Sequence, residues 1–131
     1  MATRSTESAS KQQSERGAAL IEFAIVLPLF MLLLVGMIEF GRGYYLKSTL
    51  THASREGARA AAVGHADPTQ VTLDAAAALD PALATITIAP TPCVAGSPVS
   101  VTVSYPFTYS IPFFRDDSIT LSETGTMRCG G

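Results

Sequence analysis

Apolar residues are distributed unevenly along this chain, and the changes in their spacing mark the elements. From Ala18 to Ile38 they run almost without a break, and between Glu22 and Glu39 lie 16 residues with no charge. A helix from Gly17 to Ile38 would span about 33 Å, enough to cross a bilayer. The pattern then shifts to intervals of three and four. Leu46, Leu50, Ala53, Gly57 and Ala60 or Ala61 form a narrow stripe of small and apolar residues, while Lys47, Arg55, Glu56 and Arg59 keep to the other side, so the helix is expected to continue beyond the membrane. Such a stripe can receive the backbone of another subunit, or it can pack on the chain's own C-terminal sheet.

After Gly64 the pattern changes again. Asp67 and Pro68 open a second, short helix that should close before Pro81. Strand alternation follows in Thr85 to Ile88, more regularly in Val99 to Tyr105, and again in Ile119 to Met127. Val99, Val101, Val103 and Tyr105 should face a core, with Ser100, Thr102 and Ser104 on the opposite face. The expected fold class is α+β: a long N-terminal helix, transmembrane and continuing outside, plus a small antiparallel sheet. Phe107 to Asp117 reads as an irregular connection whose Phe107, Tyr109, Phe113 and Phe114 form either a small cap on the core or an exposed patch.

Residues 1–17 make a polar leader rich in Ser and Thr, expected to be disordered and cytoplasmic; residues 18–41 are the transmembrane helix, 42–64 its extension, and 65–131 an exported domain. A cleaved secretory signal fits the apolar run poorly. Its hydrophobic region is too long, and Glu39-Phe-Gly-Arg-Gly-Tyr-Tyr after it offers no small-residue cleavage site. Tyr44 and Tyr45 suit an interfacial aromatic belt. Lys and Arg do not orient the span, because Arg4, Lys11 and Arg16 before it balance Arg42, Lys47 and Arg55 after it. The cysteines do better. Cys93 and Cys129 match no zinc or redox spacing and are read as a disulfide in an oxidising compartment, which places the C-terminal part outside the cytoplasm and the N-terminus inside.

Composition narrows the chemistry. Of the 131 residues 47% are hydrophobic but only 8% aromatic, and a net charge of -2 leaves no basic surface for nucleic acid. No G-x-S-x-G, P-loop or H-E-x-x-H occurs, His52 and His65 stand apart, and Asp116-Asp117 lack the Gly-anchored acidic loop of a calcium site. No catalytic residue, cofactor or metal is expected, and the chain is read as not being an enzyme. The singular residue is Glu22, since a charge at the centre of a membrane helix costs about 2.5 to 3.5 kcal/mol. Either it lies near the cytoplasmic interface, where it snorkels or stays protonated, or it meets a cation inside the membrane. A new N-terminal amine of a neighbouring subunit would supply that cation if the chain were cut just before it.

The junction Glu15-Arg16-Gly17-Ala18-Ala19-Leu20-Ile21-Glu22-Phe23 resembles the cleavage site of type IV prepilins and pseudopilins, in which a prepilin peptidase cuts after Gly and leaves Glu at position five. The wider stretch resembles the TadE-like family of the Flp (tight adherence, Tad) pilus system, carried by Arg16-Gly-Ala-Ala-Leu-Ile-Glu-Phe-Ala-Ile-Val-Leu-Pro-Leu, by Gly36-Met-Ile-Glu-Phe-Gly-Arg42 and by Ala53-Ser-Arg-Glu-Gly-Ala-Arg-Ala-Ala61. The resemblance covers about residues 16 to 63. It implies a type IV pilin-like fold, a place in the bacterial inner membrane, and a pseudopilin role in assembling an adhesive pilus. Its implied partners are the lipid bilayer, other Tad/Flp components, a prepilin peptidase and further copies of the chain. Gly17 and Ala18 would flank the cut and Glu22 would be the acidic position. Phe23 stands where major Flp pilins typically carry Tyr, which favours the accessory protein over the filament subunit. The other reading keeps the chain unprocessed, as a membrane-tethered scaffold docking secretion-system or surface proteins.

Overall fold

The computed structural model describes residues 4–111 and 115–130, with side chains from residue 16 onward. The expected contributions of Phe113 and Phe114 therefore lie outside the described residues. The chain divides into two compact units, Met1–Ile38 and Glu39–Gly131. Five elements follow one another: α1 (Arg4–Ala62), α2 (Pro68–Ala75), β1 (Thr85–Ala89), β2 (Pro98–Tyr109) and β3 (Asp117–Arg128).

The first unit is helix. Its backbone is helical from Arg4, where composition led us to expect disorder; residues 1 to 16 hold no Gly or Pro, and Gln, Glu, Lys and Arg are good helix formers. Pro28 lies inside the helix without ending it. None of the apolar stretch is buried within the chain, and α1 is long and apolar enough to cross a membrane. Leu20, Ile25 and Leu33 are 69%, 65% and 57% exposed, so these side chains have no protein core to enter. A bilayer would supply the missing apolar surroundings.

The second unit is an α+β domain. Its three strands form one antiparallel sheet in the order β1-β2-β3, with β2 central. The alternation in β2 does what its pattern predicts: Val99, Val101 and Val103 are fully buried, facing Leu46, Leu50, Ala58 and Ala61 of α1. On the other face the Thr102 and Thr124 hydroxyls meet at 2.8 Å, and those of Ser104 and Ser122 at 2.9 Å. The small-residue stripe thus covers the chain's own sheet, one of its two expected uses. Ala53, Ala58 and Ala61 are buried with Leu46 and Leu50.

Two glycines set how closely helix and sheet approach. A Cβ on Gly57 would run into the Thr72 side chain of α2 and lie 3.1 Å from Val101 Cγ1. One on Gly125 of β3 would strike the Ser54 carbonyl and approach the Arg55 backbone nitrogen to 2.7 Å. Only a residue without Cβ lets the α1 backbone rest on β3 there.

The elements differ from expectation at their ends. α2 is capped by Asp67, whose Oδ1 accepts from the Gln70 backbone nitrogen at 2.9 Å, and it stops at Ala75 rather than near Pro81. The following alanines tighten into turns, with Ala77 donating to Asp74 and Leu79 to Ala76. β2 runs through Pro106 to Tyr109, and β3 starts at Asp117, which corrects the irregular connection expected from Phe107 onward. Pro106 is tolerated because β1 begins at Thr85, opposite Ser104, and pairs no farther along β2, so this part of β2 has a strand on one side only.

Cys93, in the β1–β2 connection, and Cys129, just after β3, form a disulfide with Cα atoms 5.8 Å apart. Backbone bonds reinforce the same corner: Gly96 donates to Cys129, Cys129 to Ser97, and Gly130 to the Ala62 carbonyl at the end of α1.

Candidate functional site

The residues singled out by the sequence fall in two places. Arg16, Gly17, Ala18 and Glu22 occupy successive turns of α1, at the head of its apolar stretch. Arg16, Ala18 and Glu22 are exposed, and no atom lies within 4 Å of where a Gly17 Cβ would stand, so nothing described in the chain covers the Gly17–Ala18 peptide bond. Cys93 and Cys129 lie in the other unit.

Insertion energetics decide whether Glu22 forbids a span. The eleven Leu, Ile, Phe and Val residues between Glu22 and Glu39 together favour insertion by about 3 to 7 kcal/mol, at about 0.3 to 0.6 each. One acidic residue costs about 2.5 to 3.5 kcal/mol at the centre and less toward an end, where Glu22 stands. The span tolerates it.

The second unit is poor in reactive chemistry. Among the described residues no group of three His, Cys, Asp or Glu side chains converges on a point. His52 faces outward from α1, in an open depression with Tyr44, Lys47 and Arg55, and His65 Nδ1 accepts from the Asp67 backbone nitrogen at 3.2 Å. Asp117 is engaged locally, its Oδ1 accepting from Ser118 N at 2.8 Å.

Two features escaped the sequence reading. Gly125 has no flanking signal, since an isolated strand glycine identifies no partner. The other joins α1 to the hairpin: Arg42 Nη1 donates to both Glu39 carboxylate oxygens, at 2.9 and 3.0 Å, while its guanidinium lies 5.8 Å from the Phe107 ring centroid. The i, i+3 spacing of Glu39 and Arg42 is a signal that could have found the ion pair; only the tertiary fold brought in Phe107.

Fold and site together define a class: an α+β protein with one N-terminal helix suited to anchoring it in a membrane. Within that class, residues 17–59 match the family model TadE, described as TadE-like protein, the family that the motifs of this segment resemble. The match takes in the Gly17 junction, the apolar stretch and most of the α1 extension, and leaves the sheet outside. No curated protein and no solved structure matches the chain.

Proposed function

We propose that this protein is a pilin-like component, a pseudopilin, of a Flp/Tad-type pilus assembly system, held in the bacterial inner membrane with its N-terminus in the cytoplasm and its sheet domain exported. One observation carries the reading. The segment that matches the TadE-like model, residues 17–59, covers the part of α1 that starts at the Gly17 junction, supplies the apolar stretch, and then packs under the sheet. Cleavage after Gly17 would leave an amine at Ala18, and Glu22 follows one helical turn later, exposed and able to pair with the corresponding amine of an adjacent subunit. Removing one partner of such a desolvated pair costs more than the pair's net worth, because a lone charge stays buried.

The tethered scaffold is supported by a different observation. The small-residue stripe is occupied by the chain's own sheet, so beyond the membrane it does not serve helix-to-helix packing between subunits. Intact mass of protein purified from its host's membranes separates the two. We expect wild type to begin at Ala18, Gly17→Leu to retain residues 1 to 17, and Glu22→Gln to be processed yet to lose co-purification with pilus-system proteins. Wild type that keeps residues 1 to 17 while supporting normal surface adherence would establish the scaffold instead.

A further inference from the structure

Toward the end of the β2–β3 hairpin Phe107 and Tyr109 are half-buried: Phe107 packs on the edge of the core, and both rings leave part of their surface uncovered. Phe107 lies against α1, its ring 3.6 Å from where a Gly43 Cβ would stand, and Tyr109 stacks beyond it with ring centroids 6.4 Å apart. Ile119, opposite Phe107 in the ladder, is 49% exposed, and on α1 Tyr44 and Tyr45 are 69% and 59% exposed.

Distances within this unit place the feature along α1. Val101 is level with Gly57 and Phe107 with Gly43. The six strand steps between the first and last cover about 20 Å, and the fourteen helical steps about 21 Å, so β2 runs alongside α1 in the opposite sense. Tyr109 lies two strand residues farther, about 7 Å, which brings it level with about Glu39. In sequence Glu39 directly follows Ile38, the last residue of the uncharged apolar run.

We propose that the paired part of the β2–β3 hairpin, through Phe107, Tyr109 and Ile119, touches the headgroup layer of the bilayer as a second membrane contact, forming one aromatic belt with Tyr44 and Tyr45. The proposal rests on the reading of α1 as membrane-spanning. Aromatic rings with a polar tip or edge favour this layer. The nearby charges do not drive the contact: Arg42 is paired with Glu39, Lys47 lies 3.5 Å from Glu123, and the exposed Arg115 is outnumbered by the exposed acids Asp116 and Asp117. The seating is therefore shallow, independent of anionic lipid, and little affected by salt. A second contact fixes the rotation of the domain over the membrane, which one helix alone leaves free.

The chain contains no tryptophan, so single substitutions make clean reporters. The full chain carrying Tyr109→Trp, Phe30→Trp or Val63→Trp would be reconstituted in phosphatidylethanolamine/phosphatidylglycerol vesicles containing lipids brominated near the headgroup or deep in the acyl chain. Phe30→Trp reports the span and should be quenched by deep bromines. Val63→Trp, about 30 Å beyond Gly43 along α1, should be unquenched by either. Tyr109→Trp should be quenched by shallow bromines, with a blue-shifted emission that persists at high salt and without phosphatidylglycerol. If Tyr109→Trp is unquenched while Phe30→Trp is quenched, the second contact is wrong and the anchor stands. Shielding of Tyr109→Trp from acrylamide without lipid quenching would assign the surface to a second copy of the chain and also overturn the proposal. If Phe30→Trp is itself unquenched, the spanning reading falls and this proposal with it.

Discussion

At the scale of single residues, the tightest constraints in the second unit come from side chains that are absent or small. Gly125 lets the α1 backbone at Ser54 and Arg55 lie against β3, and a Cβ there would meet main-chain atoms that cannot rotate away. Gly125→Ala should therefore destabilise the domain by about 1 to 3 kcal/mol, the usual cost of forcing volume into a packed core. Thermal unfolding of the full chain in detergent, followed by the sheet's circular dichroism, measures it. Gly36→Ala is the control: open space surrounds that position, so the added methyl group strains nothing, and helix propensity favours Ala. Equal melting of wild type and Gly125→Ala would mean that the helix sits farther from β3 than the structure has it. Thr72 shows the same economy. It is fully buried beside Gly57, and its hydroxyl is satisfied by the Pro68 carbonyl at 2.7 Å, so burial leaves no unpaired group.

Elements depend on one another through the ends they share. α1 cannot bury its stripe without the inner face of β2, and β2 exposes three valines without α1. Among the described residues the sheet has three strands and no second layer other than helix, a small core for which a covalent tie matters. The Cys93–Cys129 bond closes the β1–β2 connection onto the end of β3 across a sequence separation of 36. In the chain-entropy model, closing a loop of that length contributes about 4 kcal/mol. Unreduced, denatured protein from the host should therefore take up no thiol label, and reduction should lower the melting temperature markedly. Two labelled thiols in that sample would show that the bond does not form in the cell.

For the molecule as a whole, the two units call for different solvents. One presents an apolar helix with no protein core around it; the other has a hydrophobic core and an outer sheet face of paired hydroxyls. That division sets the topological test of the proposed orientation. A reporter active only outside the cytoplasm should work when fused after Gly131 and stay silent when fused at residue 10. Activity of the residue-10 fusion alone would invert the orientation.

How much of this was legible in the residues depended on whether the signal was local. The span, the short helix after Asp67 and the three strands were readable because periodicity and caps act over a few neighbouring residues. The Gly17 to Phe23 motif is local as well, and its role as a cleavage junction is part of the proposal. Strand ends were not readable: β2 continues through Pro106 because its pairing with β1 reaches no farther than Ser104, opposite Thr85, and no window around the proline contains that fact. The stripe from Leu46 to Ala61 identified an apolar face, but small residues suit another subunit and the chain's own sheet equally well. What covers such a face is set by contacts between segments far apart in sequence, here α1 with Val99, Val101 and Val103. Gly125 and the Arg42–Phe107 contact belong to the same class. Sequence by itself determined the elements and their apolar faces; tertiary structure decided which faces meet, because that choice depends on close approach between residues that no local pattern links.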